Sequence, residues 1–168
     1  MKRILRALGI KTKTRHPDPT GGKPGVAVCK NCGVAYRKGA WRSQLDYDEH
    51  VHKDKTSVMF IHCPACDLAK NNMFRGRIAV YNIPTNILDS ITDTIHFLAN
   101  KARANDPLNR ILTLIHAPQA IELTTAADHL AEDITHELKK KFKPFRISAY
   151  RTGAHDEIVI VKMDFNTK

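Results

Sequence analysis

Two Cys-x-x-Cys pairs, Cys29-Lys-Asn-Cys32 and Cys63-Pro-Ala-Cys66, constrain this chain more than any other feature. Two residues between cysteines let both sulfurs converge from one tight turn. Two such turns bring four thiolates to the corners of a tetrahedron, about 2.3 Å from a Zn²⁺ ion. Gly33 follows the first pair, where such a turn favours a positive φ. The pairs use all four cysteines of the chain, so the pattern predicts one closed, structural Zn²⁺ site with no open position for catalysis. A thioredoxin-like redox centre needs only one pair. An iron–sulfur cluster accepts the same four ligands, although two matched pairs on hairpins favour zinc. His50, His52 and His62 lie close in sequence and read as surface or strand histidines, because four sulfurs already complete the set. The 30-residue gap between the pairs exceeds the usual ribbon spacing of about 15–20. The polar stretch 43–57 absorbs the difference as an inserted loop.

The charge is unevenly spread. The 168 residues carry 27 Lys+Arg against 17 Asp+Glu, a formal net charge of +10. Residues 1–25 hold seven basic and one acidic residue, and residues 26–78 hold nine and five. Residues 79–168 hold eleven of each, so the whole excess lies in the first half. Such asymmetry marks that half as the anion-binding part, and nucleic acid is the commonest polyanionic partner. At 42% hydrophobic and 26% charged residues the composition is that of a globular protein. No apolar run approaches the roughly 20 residues that span a bilayer, which excludes an integral helical membrane protein. No apolar leader follows the basic start Met1–Arg6, so a cytoplasmic location is expected, and a disulfide framework is a poor reading of the cysteines.

Three segments follow. Residues 1–25 read as a basic flexible arm: Met1–Ile10 has the pattern of a short amphipathic helix, and the Pro/Gly-dense stretch after it breaks helices and strands. Residues 26–83 read as a four-cysteine zinc ribbon of short β-hairpins, with strands at 26–28, 34–36, 58–61 and 78–82. Residues 84–168 read as an αββαββ domain, an antiparallel sheet with both helices on one face. Its first helix opens at Pro84-Thr85 and carries Ile87, Ile91, Ile95, Leu98 and Ala102 at helical spacing. The second carries Leu130, Ile134, Leu138 and Phe142, with acids early and Lys139-Lys-Lys141 late, which suits the helix dipole. Thr125-Ala-Ala-Asp128 has the spacing of a capping box. The fold class is therefore α+β.

The cationic and aromatic side chains near the knuckles are the candidate RNA contacts. They are Arg37, Lys38, Trp41 and Arg42 after the first pair, and Lys70, Arg75 and Arg77 after the second. The arm adds Lys2, Arg3, Arg6, Lys11, Lys13 and Arg15. Basic groups suit phosphates and an exposed aromatic suits an unpaired base, although Trp41 equally suits packing against the metal hairpins. Gly76, between two arginines, fits close backbone approach to RNA or a turn before a strand. There is no Gly-rich phosphate loop, no Gly-x-Ser-x-Gly and no His-Glu-x-x-His, so a non-enzyme is expected.

The run Cys29-Lys-Asn-Cys-Gly-Val-Ala-Tyr-Arg-Lys-Gly-Ala-Trp41 resembles the first zinc knuckle of a bacterial family described by its similarity to Nmd-type proteins affecting ribosome stability and mRNA decay. Cys63-Pro-Ala-Cys66 is similar to its second knuckle. Asp106-Pro-Leu-Asn-Arg-Ile111 is similar to its His-Pro-Leu-x-Arg-Ile segment, with Asp for His. Thr124-Thr-Ala-Ala-Asp-His-Leu-Ala131 is similar to its Thr-Thr-Asp-x-His-Leu-Ala segment, with one residue added. The eukaryotic relative is the export adaptor of the large ribosomal subunit. The resemblance implies a ribosome-associated factor that binds ribosomal RNA, with residues 84–168 meeting a ribosomal or translation-factor protein. A zinc-ribbon transcription regulator on DNA is the alternative; an RNA-processing enzyme and a protein-interaction module are further rivals.

Overall fold

A computed structural model describes residues 18–21, 25–43, 57–144, 146–152 and 158–166. The arm cations Lys2, Arg3, Arg6, Lys11, Lys13 and Arg15, the helix expected at 1–10 and most of the 43–57 loop lie outside the described residues.

The cysteine half is a four-stranded sheet. Its strands are β1 (Val26–Cys29), β2 (Ala35–Arg37), β3 (Ala40–Arg42) and β4 (Val58–Ile61), in the order β3-β2-β1-β4. β1 is wholly apolar and buried along its length, which is why it lies inside the sheet. Lys38 and Gly39 both take positive φ, at 49° and 79°. Two consecutive positive φ values are what a tight two-residue hairpin between β2 and β3 requires. β4 joins the other edge of β1 in parallel, from Val26↔Val58 to Cys29↔Ile61. That register brings the ends of β1 and β4 side by side, so both cysteine pairs leave the sheet at one end.

The second pair departs from the expected hairpin. β4 ends at Ile61, and after His62 and Cys63 helix α1 (Pro64–Lys70) starts. Cys63 is its N-cap, its sulfur accepting the Cys66 N–H, and Pro64 stands at the first helical position, where the missing N–H of proline costs nothing.

The remaining elements form a five-stranded sheet with two helices. They are β5 (Gly76–Tyr81), α2 (Thr85–Asn105), β6 (Ile111–Ala117), β7 (Ala120–Thr125), α3 (Asp128–Phe142), β8 (Arg146–Thr152) and β9 (Ile158–Asp164). The strand order is β6-β7-β5-β9-β8. The α+β class and the αββαββ order of elements are present, with two corrections. β5, assigned from the sequence to the ribbon segment 26–83, is the central strand of the second sheet. Ile78, Ala79 and Val80 are buried on both of its faces, and a run buried on both faces belongs in a sheet centre. β5 therefore pairs within the second sheet and not with the strands of the ribbon. The sheet is also not purely antiparallel: β5 pairs with β9 in parallel, Gly76↔Val159 through Tyr81↔Asp164. The chain leaves α3 to lay β8 at the outer edge, and the returning β9 slots against β5.

The helical periodicity read from the sequence corresponds to the core. Ile91 and Ile95 of α2, and Leu130, Ile134 and Leu138 of α3, are buried against Ile78, Val80, Leu123, Val161 and Met163. The capping box does not form. Ala127 is the N-cap of α3 with no side-chain bond, and the Thr125 hydroxyl donates to the Ala127 carbonyl instead, 2.7 Å away. Among the described residues, no helix is long and apolar enough to cross a membrane.

Candidate metal centre

The four cysteines come together. Cys29 ends β1, Cys32 follows in the turn, Cys63 caps the N-terminus of α1 and Cys66 lies in its first turn. Their sulfurs all lie within 4.8 Å of one another, and Cys32 Sγ is 3.6 Å from Cys63 Sγ. A tetrahedral set with bonds of about 2.3 Å places sulfurs about 3.8 Å apart, so the cluster fits one metal ion. None of the four is in a disulfide.

The donor chemistry gives the same answer. Cys29 is held down to about 6: burial pushes its thiol up, but the backbone N–H groups of Cys63, Cys32 and Asn31 outweigh that. Cys63 is pushed well up by burial and by the neighbouring sulfur charges of Cys32, Cys29 and Cys66. Cys66 is raised by burial, against the opposing pull of Asn31 and Arg110. The scaffold thus readily holds Cys29 as a thiolate and resists ionisation of Cys63 and Cys66, and a dication at the centre reverses that resistance. When bound, such an ion supplies cross-linking of the two knuckles, with all four positions filled by sulfur.

The sulfurs are supported from outside. Cys63 N–H donates to Cys29 Sγ at 3.3 Å, Cys66 N–H to Cys63 Sγ at 3.4 Å, and Asn31 Nδ2 to Cys66 Sγ at 3.2 Å. Arg110, from the second lobe, places Nη2 2.9 Å from Cys66 Sγ and 3.7 Å from Cys63 Sγ. Burial works against its charge, but the sulfurs of Cys32, Cys66 and Cys63 hold the guanidinium firmly protonated. Neither Asn31 nor Arg110 is a site residue that the sequence predicts. Arg110 sits in the Asp106–Ile111 segment, whose resemblance to a family motif is the one signal that draws attention to it.

The described RNA candidates separate into two groups. Lys38, Arg42 and Lys70 are exposed on the ribbon lobe, and Arg37 and Arg75 are half-buried. Arg77 belongs to the second sheet, where its guanidinium pairs with Glu122 at 2.6 Å. Trp41 is a correction: it is only 9% exposed, its ring edge-on to Tyr36 with centroids 5.5 Å apart. Aromatic stacking on a base needs a free face, and Trp41 spends its faces in the ribbon core with Ala27, Val34 and Cys63. Gly76 is buried beneath α3, which removes the RNA-approach reading of that residue. His62 lies outside the cluster of metal-competent groups. No family model matches the chain, and no curated protein matches it.

Proposed function

We propose that this protein is a zinc-stabilised, cytoplasmic, ribosome-associated factor that grips ribosomal RNA through its basic arm and ribbon. The observation that carries the reading is the charge asymmetry: the net +10 resides wholly in residues 1–78, which include the cysteine cluster. Zinc is the favoured ion because four thiolates in a closed tetrahedral set suit it best. The exposed Lys38, Arg42 and Lys70, with Trp41 buried, favour phosphate contacts on folded RNA over stacking on unpaired bases. The second lobe, balanced in charge, is the part suited to a ribosomal or translation-factor protein.

Tagged protein sedimented from lysate on a sucrose gradient tests this. Co-migration with a subunit or whole ribosomes at low salt, reduced at high salt, is the expected result. Protein at the top of the gradient in both conditions and across growth states would refute it. Isolated ribosomes competed against duplex DNA separate this reading from a transcription regulator. Replacing Lys38, Arg42 and Lys70 together by Gln should flatten the log–log salt slope by about 2–3, and removal of residues 1–25 should flatten it further. An unchanged slope in both variants would remove the electrostatic basis of the proposal.

A further inference from the structure

Arg110 is placed by an unusual amount of local structure. Asp106 Oδ1 accepts the Leu108 N–H at 3.0 Å, and the Asn109 N–H returns to the Asp106 carbonyl at 2.9 Å. Pro107 pre-sets the turn between them. The turn drives Leu108, 4% exposed, into the ribbon core. Asn109 Nδ2 meets His129 Nε2 of α3 at 2.7 Å, and the Arg110 carbonyl accepts the Ala126 N–H at 2.9 Å. Leu112 and Ala126 pack on the same ribbon cluster. The two segments singled out in the sequence by family resemblance, 106–111 and 124–131, therefore meet here.

A half-buried guanidinium cannot shed its proton, and a buried charge without a counter-charge is costly. Four thiolates around a dication carry a net charge of about −2, a counter-charge that lies directly beside the guanidinium, whose Nη2 is 2.9 Å from Cys66 Sγ. The position of Arg110 thus suits a centre of metal-bound thiolates.

We propose that Arg110 is an outer-sphere positioning residue of the metal centre, and that through it the centre acts as a latch holding the second lobe against the ribbon. The proposal rests on the four-cysteine metal reading and is independent of RNA binding. It has two consequences. The Cys66 sulfur, which accepts from Arg110 Nη2 and Asn31 Nδ2, is shielded from electrophiles while the latch is closed. Loss of the ion loosens residues 106–112 of the second lobe, although none of them is a ligand.

The test uses the full chain loaded with zinc alone, as wild type, Arg110→Met and Arg110→Lys. Zinc content is measured first. Each protein is then treated with iodoacetamide, with release followed by a chromogenic chelator and alkylated cysteines mapped by mass. Arg110→Met should retain zinc and be alkylated at Cys66 at least about tenfold faster, since a charge-assisted hydrogen bond to the sulfur is lost. Arg110→Lys, which keeps the charge, should recover most of the protection. Amide exchange over 106–112 should quicken in wild type on chelation, and should already be fast in zinc-loaded Arg110→Met. Zinc-loaded Arg110→Met with wild-type alkylation and exchange would overturn the latch. If Arg110→Met does not fold, equal exchange at 106–112 in wild type with and without zinc overturns it instead. A wild-type chain that takes up no zinc would defeat the metal reading itself, a distinct outcome.

Discussion

Stripping the metal from the full chain is expected to unfold the ribbon lobe while the five-stranded sheet persists. The ribbon core is small: Ala27, Val34, Tyr36, Trp41 and Ala65 cluster around the cysteines themselves. Structural zinc contributes about 10–16 kcal/mol to the folding of comparably small modules, more than such a core supplies. Trp41 is the only tryptophan and lies in that core, so its emission reports this lobe alone. Chelation should shift it to the red with little change in the far-UV signal of α2 and α3, and Cys63→Ser should do the same without chelator. Burial holds the Cys63 and Cys66 thiols up in the absence of metal, so loading must expel their protons and affinity falls as pH falls. Cys29, at about 6, is already ionised at neutral pH and adds dependence only below it. Zinc titrations at pH 6, 7 and 8 should therefore weaken steadily downward. Trp41 emission that is indifferent to chelation, or affinity that is flat across that range, would contradict the site as described.

Gly76→Ala should be the most damaging single methyl addition in the second lobe. A Cβ built there meets Ala131 Cβ at 2.4 Å and Thr125 Oγ1 at 2.5 Å. Ala131 and Thr125 are both 0% exposed, so neither has room to retreat, and α3 must lift from β5. The expected loss is about 3 kcal/mol, at the upper end for overpacking and a large part of a typical domain's 5–15 kcal/mol. Urea denaturation measures it. Adding Ala131→Gly should recover part of the loss but not all, because the Thr125 contact remains; a positive coupling in that cycle is the signature of direct contact. A Gly76→Ala protein within about 0.5 kcal/mol of wild type would show that the helix does not press on the strand as described.

The elements that the sequence made legible are those set by local chemistry. The short apolar-rich runs at 58–61, 110–116, 120–124 and 157–165, and the 3.6-residue spacing through Ile91, Ile95, Ile134 and Leu138, mark strands and helices without reference to anything distant, and the structure places strands within one residue of those bounds. Each Cys-x-x-Cys turn is equally local, since it aims its own two sulfurs, but the meeting of the two pairs depends on β1 joining β4. Partner choice is not local. Ile78-Ala-Val80 reads as a strand in any context, and only the arrival of β7 on one edge and β9 on the other makes it the centre of the second sheet. The parallel joining of β1 to β4 and of β5 to β9 likewise depends on chain segments far apart in sequence. Trp41 and Arg110 show the same division at the level of single residues. An aromatic beside cations reads equally as a base-stacking group and as a packing group until Tyr36 and the cysteine cluster are packed around it. An arginine in a loop 44 residues beyond Cys66 carries no mark of its role until the 106–109 turn is docked on the ribbon. Sequence determines what each segment can become because backbone preference and side-chain period act over a few residues. Tertiary structure decides which of those segments meet, because burial and charge compensation act between surfaces that only the fold brings together.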